Sequence, residues 1–202
     1  MKILEIIING GFIMYPLLIC SILVWAVFIE KYFFLTKFNR QFSNLFQNAQ
    51  NLMDEGKIHE CVGLVKSADS VLRDPFLAVL EGKGLPKETW ERNILRKLSE
   101  TQLSLKRFLW ILGTIGNLAP FIGLFGTVIG IIKSFESMSA TGNSGFSVVS
   151  SGLSEALIAT AAGILVAIVS VIFYNFFQTK INAIFLRLKN NLEELSEKVE
   201  RT

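Results

Sequence analysis

Residues 108–132 read FLWILGTIGNLAPFIGLFGTVIGII, twenty-five consecutive positions without a charged side chain. A helix rises about 1.5 Å per residue, and about 20 apolar residues suffice to cross a hydrocarbon core of roughly 30 Å. This stretch therefore reads as a membrane span. Along it Gly116, Pro120, Gly123, Thr127, Gly130 and Ser134 recur at alternating steps of four and three, which places them on one narrow helical face. Lipid does not require small residues, whereas close helix–helix packing does.

Two further stretches have the same character. Phe12 to Ile29 contains no charge, and Ala156 to Phe177 gives 22 uncharged residues with Glu155 at their leading edge. The last of these carries a matching row of Ala156, Thr160, Gly163, Ala167 and Ser170, closed by Tyr174. Two matched stripes, each with a threonine, allow two readings: packing of helix on helix, or the lining of a narrow, partly polar conduit. The first span does not read as a cleavable signal peptide, because Lys2 is balanced by Glu5 and no A-x-A site follows.

Composition agrees with a membrane protein. Of 202 residues 51% are hydrophobic and 18% charged, against about 25% charged in soluble domains. A net charge of +3 is too mild for nucleic-acid binding. Cys20 and Cys61 form no C-x-x-C, and His59 is the single histidine, so neither a disulfide framework nor a metal cluster is indicated. The glycines of 126–134 resemble a phosphate loop, but Lys133 does not follow Gly130 and the segment lies in a span.

Basic residues orient the chain. Thirteen Lys+Arg lie between Glu30 and Arg107 and five more from Lys180 onward, while Ser137 to Ser154 has none. The positive-inside rule then places the N-terminus and the short connection outside. The resulting fold class is an all-α membrane protein whose three long transmembrane helices extend into a cytoplasmic helical bundle. The expected organisation is 1–35 for the N-terminal segment and first span, 36–107 for the cytoplasmic region and 108–136 for the second span. A short loop on the outer side follows at 137–147, then the third span at 148–179 and a cytoplasmic helix at 180–202. Leu17 to Glu55, Lys87 to Leu112 and Ile164 to the end lack Gly and Pro, which predicts helices continuing beyond the membrane. Gly56, Arg73-Asp74-Pro75 and the Gly82-Gly84-Pro86 cluster predict turns between them.

Glu155 is the strongest candidate for chemistry. A carboxylate within a span is costly to insert and usually marks an ion pathway or a paired site. The bland alternative is a cap at the positive end of the third helix. Against it, Phe146, Val148, Val149 and Leu153 are apolar enough to extend the helix outward past Glu155.

Ala119-Pro120-Phe121-Ile122-Gly123-Leu124-Phe125-Gly126-Thr127-Val128-Ile129-Gly130-Ile131 and Ser154-Glu155-Ala156-Leu157-Ile158-Ala159-Thr160-Ala161-Ala162-Gly163 closely resemble the MotA/TolQ/ExbB proton-channel family. Three spans set the chain apart from the flagellar MotA branch. Gly10-Gly11 with Met14-Tyr15-Pro16-Leu17 leans towards ExbB over TolQ. The resemblance implies that Thr127, Glu155 and Thr160 line a proton path, with protons as the coupling ion and no other cofactor. It implies a homo-pentamer in the bacterial inner membrane around two copies of an ExbD/TolR-like single-span partner, with a TonB- or TolA-like effector receiving the work. It implies a stator subunit and no enzyme. The rival readings are a passive scaffold packed around a partner helix and a channel that conducts alone.

Overall fold

A computed structural model describes residues 11–82, 84–141 and 146–201; the side chains of 140–141 and 146–151 lie outside that description. The described residues form six helices and no strand: α1 (Met14–Asp54), α2 (Ile58–Lys66), α3 (Ser70–Leu80), α4 (Lys87–Lys106), α5 (Leu109–Thr141) and α6 (Phe146–Arg201). Three of them, α1, α5 and α6, are long and apolar enough to cross a membrane. Contacts divide the chain into one unit of Met1–Ile29 with Phe108–Phe176, and a second of Glu30–Arg107 with Phe177–Thr202.

In the first unit the outer faces are apolar. Ile22, Phe121 and Leu165 are about two-thirds exposed, at 67%, 66% and 63%. Burial of such side chains in water would be favourable, so their exposure marks a surface that meets lipid or another apolar chain. Trp25, half-exposed, meets Phe28 and Phe173 edge-on, and the centroids of those two rings lie 4.3 Å apart.

The second unit has an ordinary helical core. Phe177, Ile181, Ile184, Leu188, Leu192, Leu195 and Val199 of α6 are all buried, a run spaced by threes and fours. They share the core with Phe38, Phe42, Ala49 and Met53 of α1 and with Val65, Phe76, Val79, Trp90 and Leu98. Cys61 is fully buried there, and burial pushes its thiol up.

Two expectations about breaks are corrected. Arg73-Asp74-Pro75 is not a turn: α3 runs through Pro75 from an Asp69 cap whose carboxylate accepts from the Val71 amide at 3.4 Å. A proline inside a helix leaves the carbonyl four residues back without its donor. That carbonyl belongs to Val71, and the hydroxyl of Thr101 on α4 donates to it at 3.1 Å. Conversely, the Gly- and Pro-free stretch Lys87–Leu112 is not one helix. It breaks between Lys106 and Leu109, where Phe108 takes a left-handed φ of 63°. The freed end of α4 is satisfied by Lys31, fully buried, whose Nζ donates to the Leu105 carbonyl at 3.0 Å.

Candidate functional site

The two small-residue stripes meet each other within one chain. Contacts pair rising numbers on α5 with falling numbers on α6: Gly116 with Ala167 and Val171, Gly123 with Ala159 and Thr160, Gly130 with Ala156. The helices are therefore antiparallel and their backbones nearly touch. A Cβ on Gly123 would lie 2.9 Å from Thr160 Cα, and one on Gly163 would lie 2.5 Å from the Ala119 carbonyl oxygen. Only glycine fits there.

Hydroxyls lock this seam. Ser170 Oγ, fully buried, donates to the Leu112 carbonyl at 2.8 Å, and Thr160 Oγ1 donates across the helices to the Gly123 carbonyl at 2.8 Å. Ser134 Oγ donates to Gly130 O at 2.8 Å and presses against Gly152. Ala156 and Ala167 are buried in the seam, and Pro120 is half-buried one turn before Leu124. Thr127 is half-buried and donates to its own helix, to Leu124 O at 2.6 Å. Both threonine hydroxyls thus have their protons engaged by backbone carbonyls, and their lone pairs can still accept from water.

Glu155 stands apart from the seam. It is exposed, and α6 begins at Phe146, more than two turns earlier, so Glu155 does not cap the helix. It faces a cleft of about 750 Å³ bounded by the N-terminal segment, α5 and α6. Gly11 forms one wall with a left-handed φ of 66°, and a Cβ there would collide with the Glu155 carboxylate. The carboxylate is held against bare backbone with room beside it. Glu155 and Thr160 lie five positions apart, about 140° around the helix, so the structure does not bring them to one face.

Of the residues lining this cleft, sequence reasoning names only Gly130, Ser134, Glu155 and Ala156 as site residues; those it passes over include Gly11, Lys133, Ser137 and Gly152. Lys133 carried a signal, being the one Lys or Arg between Arg107 and Lys180. Gly10 and residues 142–145, the middle of the expected loop at 137–147, lie outside the described residues.

Comparison with known proteins bears on what this arrangement does. The profile of the MotA/TolQ/ExbB proton channel family matches residues 66–190, which include α5, Glu155 and Thr160. A putative biopolymer transport protein, ExbB-like 3, of Synechocystis sp. is 31% identical over 95% of this chain and 90% of its own length. The biopolymer transport protein ExbB of Salmonella typhimurium is 31% identical over 85% of this chain and 73% of its own. The Tol-Pal system protein TolQ of Haemophilus influenzae is 30% identical, covering 87% and 82%.

Proposed function

Because the chain belongs to the MotA/TolQ/ExbB proton channel family, we propose that it is the stator subunit of a motor in the bacterial inner membrane. Proton flow would be coupled to mechanical work through an ExbD/TolR-like single-span partner, with a TonB- or TolA-like effector beyond it. Five copies of this chain around two of the partner is the stoichiometry that the resemblance implies. The N-terminus would face the periplasm.

One observation supports this reading above the others: Glu155 is an exposed carboxylate on an otherwise uncharged span, beside an open cleft and away from the helix cap. In this reading Glu155 exchanges protons with, or pairs with, a group on the partner's helix. Thr160 within the seam and Thr127 one turn beyond Gly123 would offer oxygen lone pairs to water along the path. The glycine and alanine stripe does the structural part, holding α5 and α6 rigidly enough to keep the carboxylate in place.

The passive scaffold has its own supporting observation, since the Thr160 hydroxyl already serves helix packing through Gly123. A single experiment separates the two. The complex is purified gently by a tag on this chain, its composition is read by native mass spectrometry, and its proton flux is measured in liposomes. The motor reading expects a small single-span companion and a proton flux that Glu155→Gln abolishes without loss of assembly. A scaffold shows assembly with no flux, and a flux untouched by Glu155→Gln would end the role assigned to that carboxylate.

A further inference from the structure

Between Phe108 and Phe177 the chain carries three charged side chains in seventy residues: Lys133, Glu136 and Glu155. Lys133 and Glu155 line the same cleft, from α5 and α6 respectively, and Glu136 is not among its walls. The seam explains why they share it. Gly130 meets Ala156 and Ser134 meets Gly152; Lys133 immediately precedes Ser134, and Glu155 immediately precedes Ala156. The two charges therefore flank one contact and open onto its free side.

They do not neutralise each other directly. Among the described residues no ion pair within 4.0 Å includes either Lys133 or Glu155. The cleft is thus lined by one basic and one acidic side chain that form no ion pair with each other. Lys133 stands at the end of the second span, next to a connection, Ser137 to Ser154, that holds no Lys or Arg. Packing does not account for it, because Lys133 is exposed and the seam is closed by its neighbours. Among the described residues none of the others lining the cleft is charged: Ser134 and Ser137 bring hydroxyls, and the rest are glycine or apolar.

We propose that Lys133 is a specificity-determining residue of the ion path, whose positive charge beside Glu155 turns metal cations away while protons still pass. The inference rests on the conducting role proposed above and goes beyond it. A sodium ion approaching the Glu155 carboxylate brings a full, persistent charge and must sit next to an ammonium. A proton moves by exchange between water, hydroxyl and carboxylate, and neutralises the carboxylate when it arrives. A positive side chain lining an ion path raises an electrostatic barrier to mobile cations; only the exchange route through the carboxylate lets protons avoid it. In an assembly of several copies the same charge would recur with every subunit.

The test uses the purified complex with its co-purifying companion, reconstituted in liposomes under an imposed potential. Proton entry is followed with a pH-sensitive dye and sodium entry with a sodium-sensitive one. Wild type and Lys133→Arg are expected to admit protons and exclude sodium. Lys133→Met should keep proton flux and raise sodium entry about tenfold or more, the scale set by one unit charge at short range in a partly polar medium. Lys133→Gln replaces Lys133→Met if the latter fails to assemble. Sodium exclusion unchanged in the neutral variant overturns the proposal while leaving proton conduction intact. A neutral variant that assembles but loses proton flux without admitting sodium overturns the proposal too, as does sodium entry through Lys133→Arg. A wild-type complex silent to protons overturns the conducting role itself, and this inference with it.

Discussion

At Gly163 the backbones of two helices come as close as the chain allows, and the smallest possible change is informative. Gly163→Ala would put a methyl 2.5 Å from the Ala119 carbonyl oxygen, a backbone atom that cannot move without its helix. We expect a loss of about 1–3 kcal/mol, the usual scale of overpacking, read by denaturation in mild detergent. Gly63 is the control: it lies in α2, exposed, with nothing within 4 Å of a built Cβ, so Gly63→Ala should stabilise by about 0.5–1 kcal/mol. Thr160 tests whether a seam residue has a second duty. Thr160→Val keeps the shape but removes the donor to Gly123, at a cost of about 0.5–2 kcal/mol. If the hydroxyl also carries protons, Thr160→Val should lose proton flux in an assembled complex while Thr160→Ser retains it. Equal flux in the two variants would leave Thr160 a packing residue.

The elements show where sequence patterns mislead. Proline lacks the amide that a helix needs, so Pro75 reads as a turn. What permits α3 to continue is a hydroxyl from 26 positions downstream, Thr101 on Val71 O, and no local pattern announces a partner on another helix. The two residues should therefore be coupled. Thr101→Val strands the Val71 carbonyl, and we expect a loss of about 1–3 kcal/mol. In a Pro75→Ala background the restored amide reaches that carbonyl, and the same Thr101→Val should cost much less. A double-mutant cycle by urea denaturation measures the difference, and additivity would refute the link. The break at Phe108 is the converse case: it needs no Gly or Pro because Lys31 caps the end of α4 from α1. By contrast, the three spans, the small-residue stripes and the apolar face of α6 were legible, since period and composition lie within a single segment. Glu155 was legible as an anomaly, one carboxylate in an apolar run. Lys133 was an equal anomaly, but its meaning depends on facing Glu155 across a cleft, which only the packing of α5 on α6 defines.

For the molecule as a whole, the orientation proposed for the chain rests on where its charge lies, and it can be tested without any activity. Thirteen Lys+Arg between Glu30 and Arg107 argue that this region stays in the cytoplasm, which sends the connection between α5 and α6 to the opposite side. Two exposed serines report the two sides: Ser67, just past α2, and Ser139, near the end of α5. The native thiols interfere little. Cys61 is fully buried and its thiol is pushed up, so it presents scarcely any thiolate to a maleimide, and Cys20 can be replaced by alanine. In spheroplasts, Ser139→Cys should react with a membrane-impermeant maleimide, and Ser67→Cys should react only after the membrane is permeabilised. The reverse pattern would invert the topology. It would also place the Glu155 cleft towards the cytoplasm, so that protons would meet the carboxylate at the end of their passage and not at its beginning. The labelling experiment therefore decides which side of the membrane loads the site, a prerequisite for assigning any direction to the work that the proton flow performs.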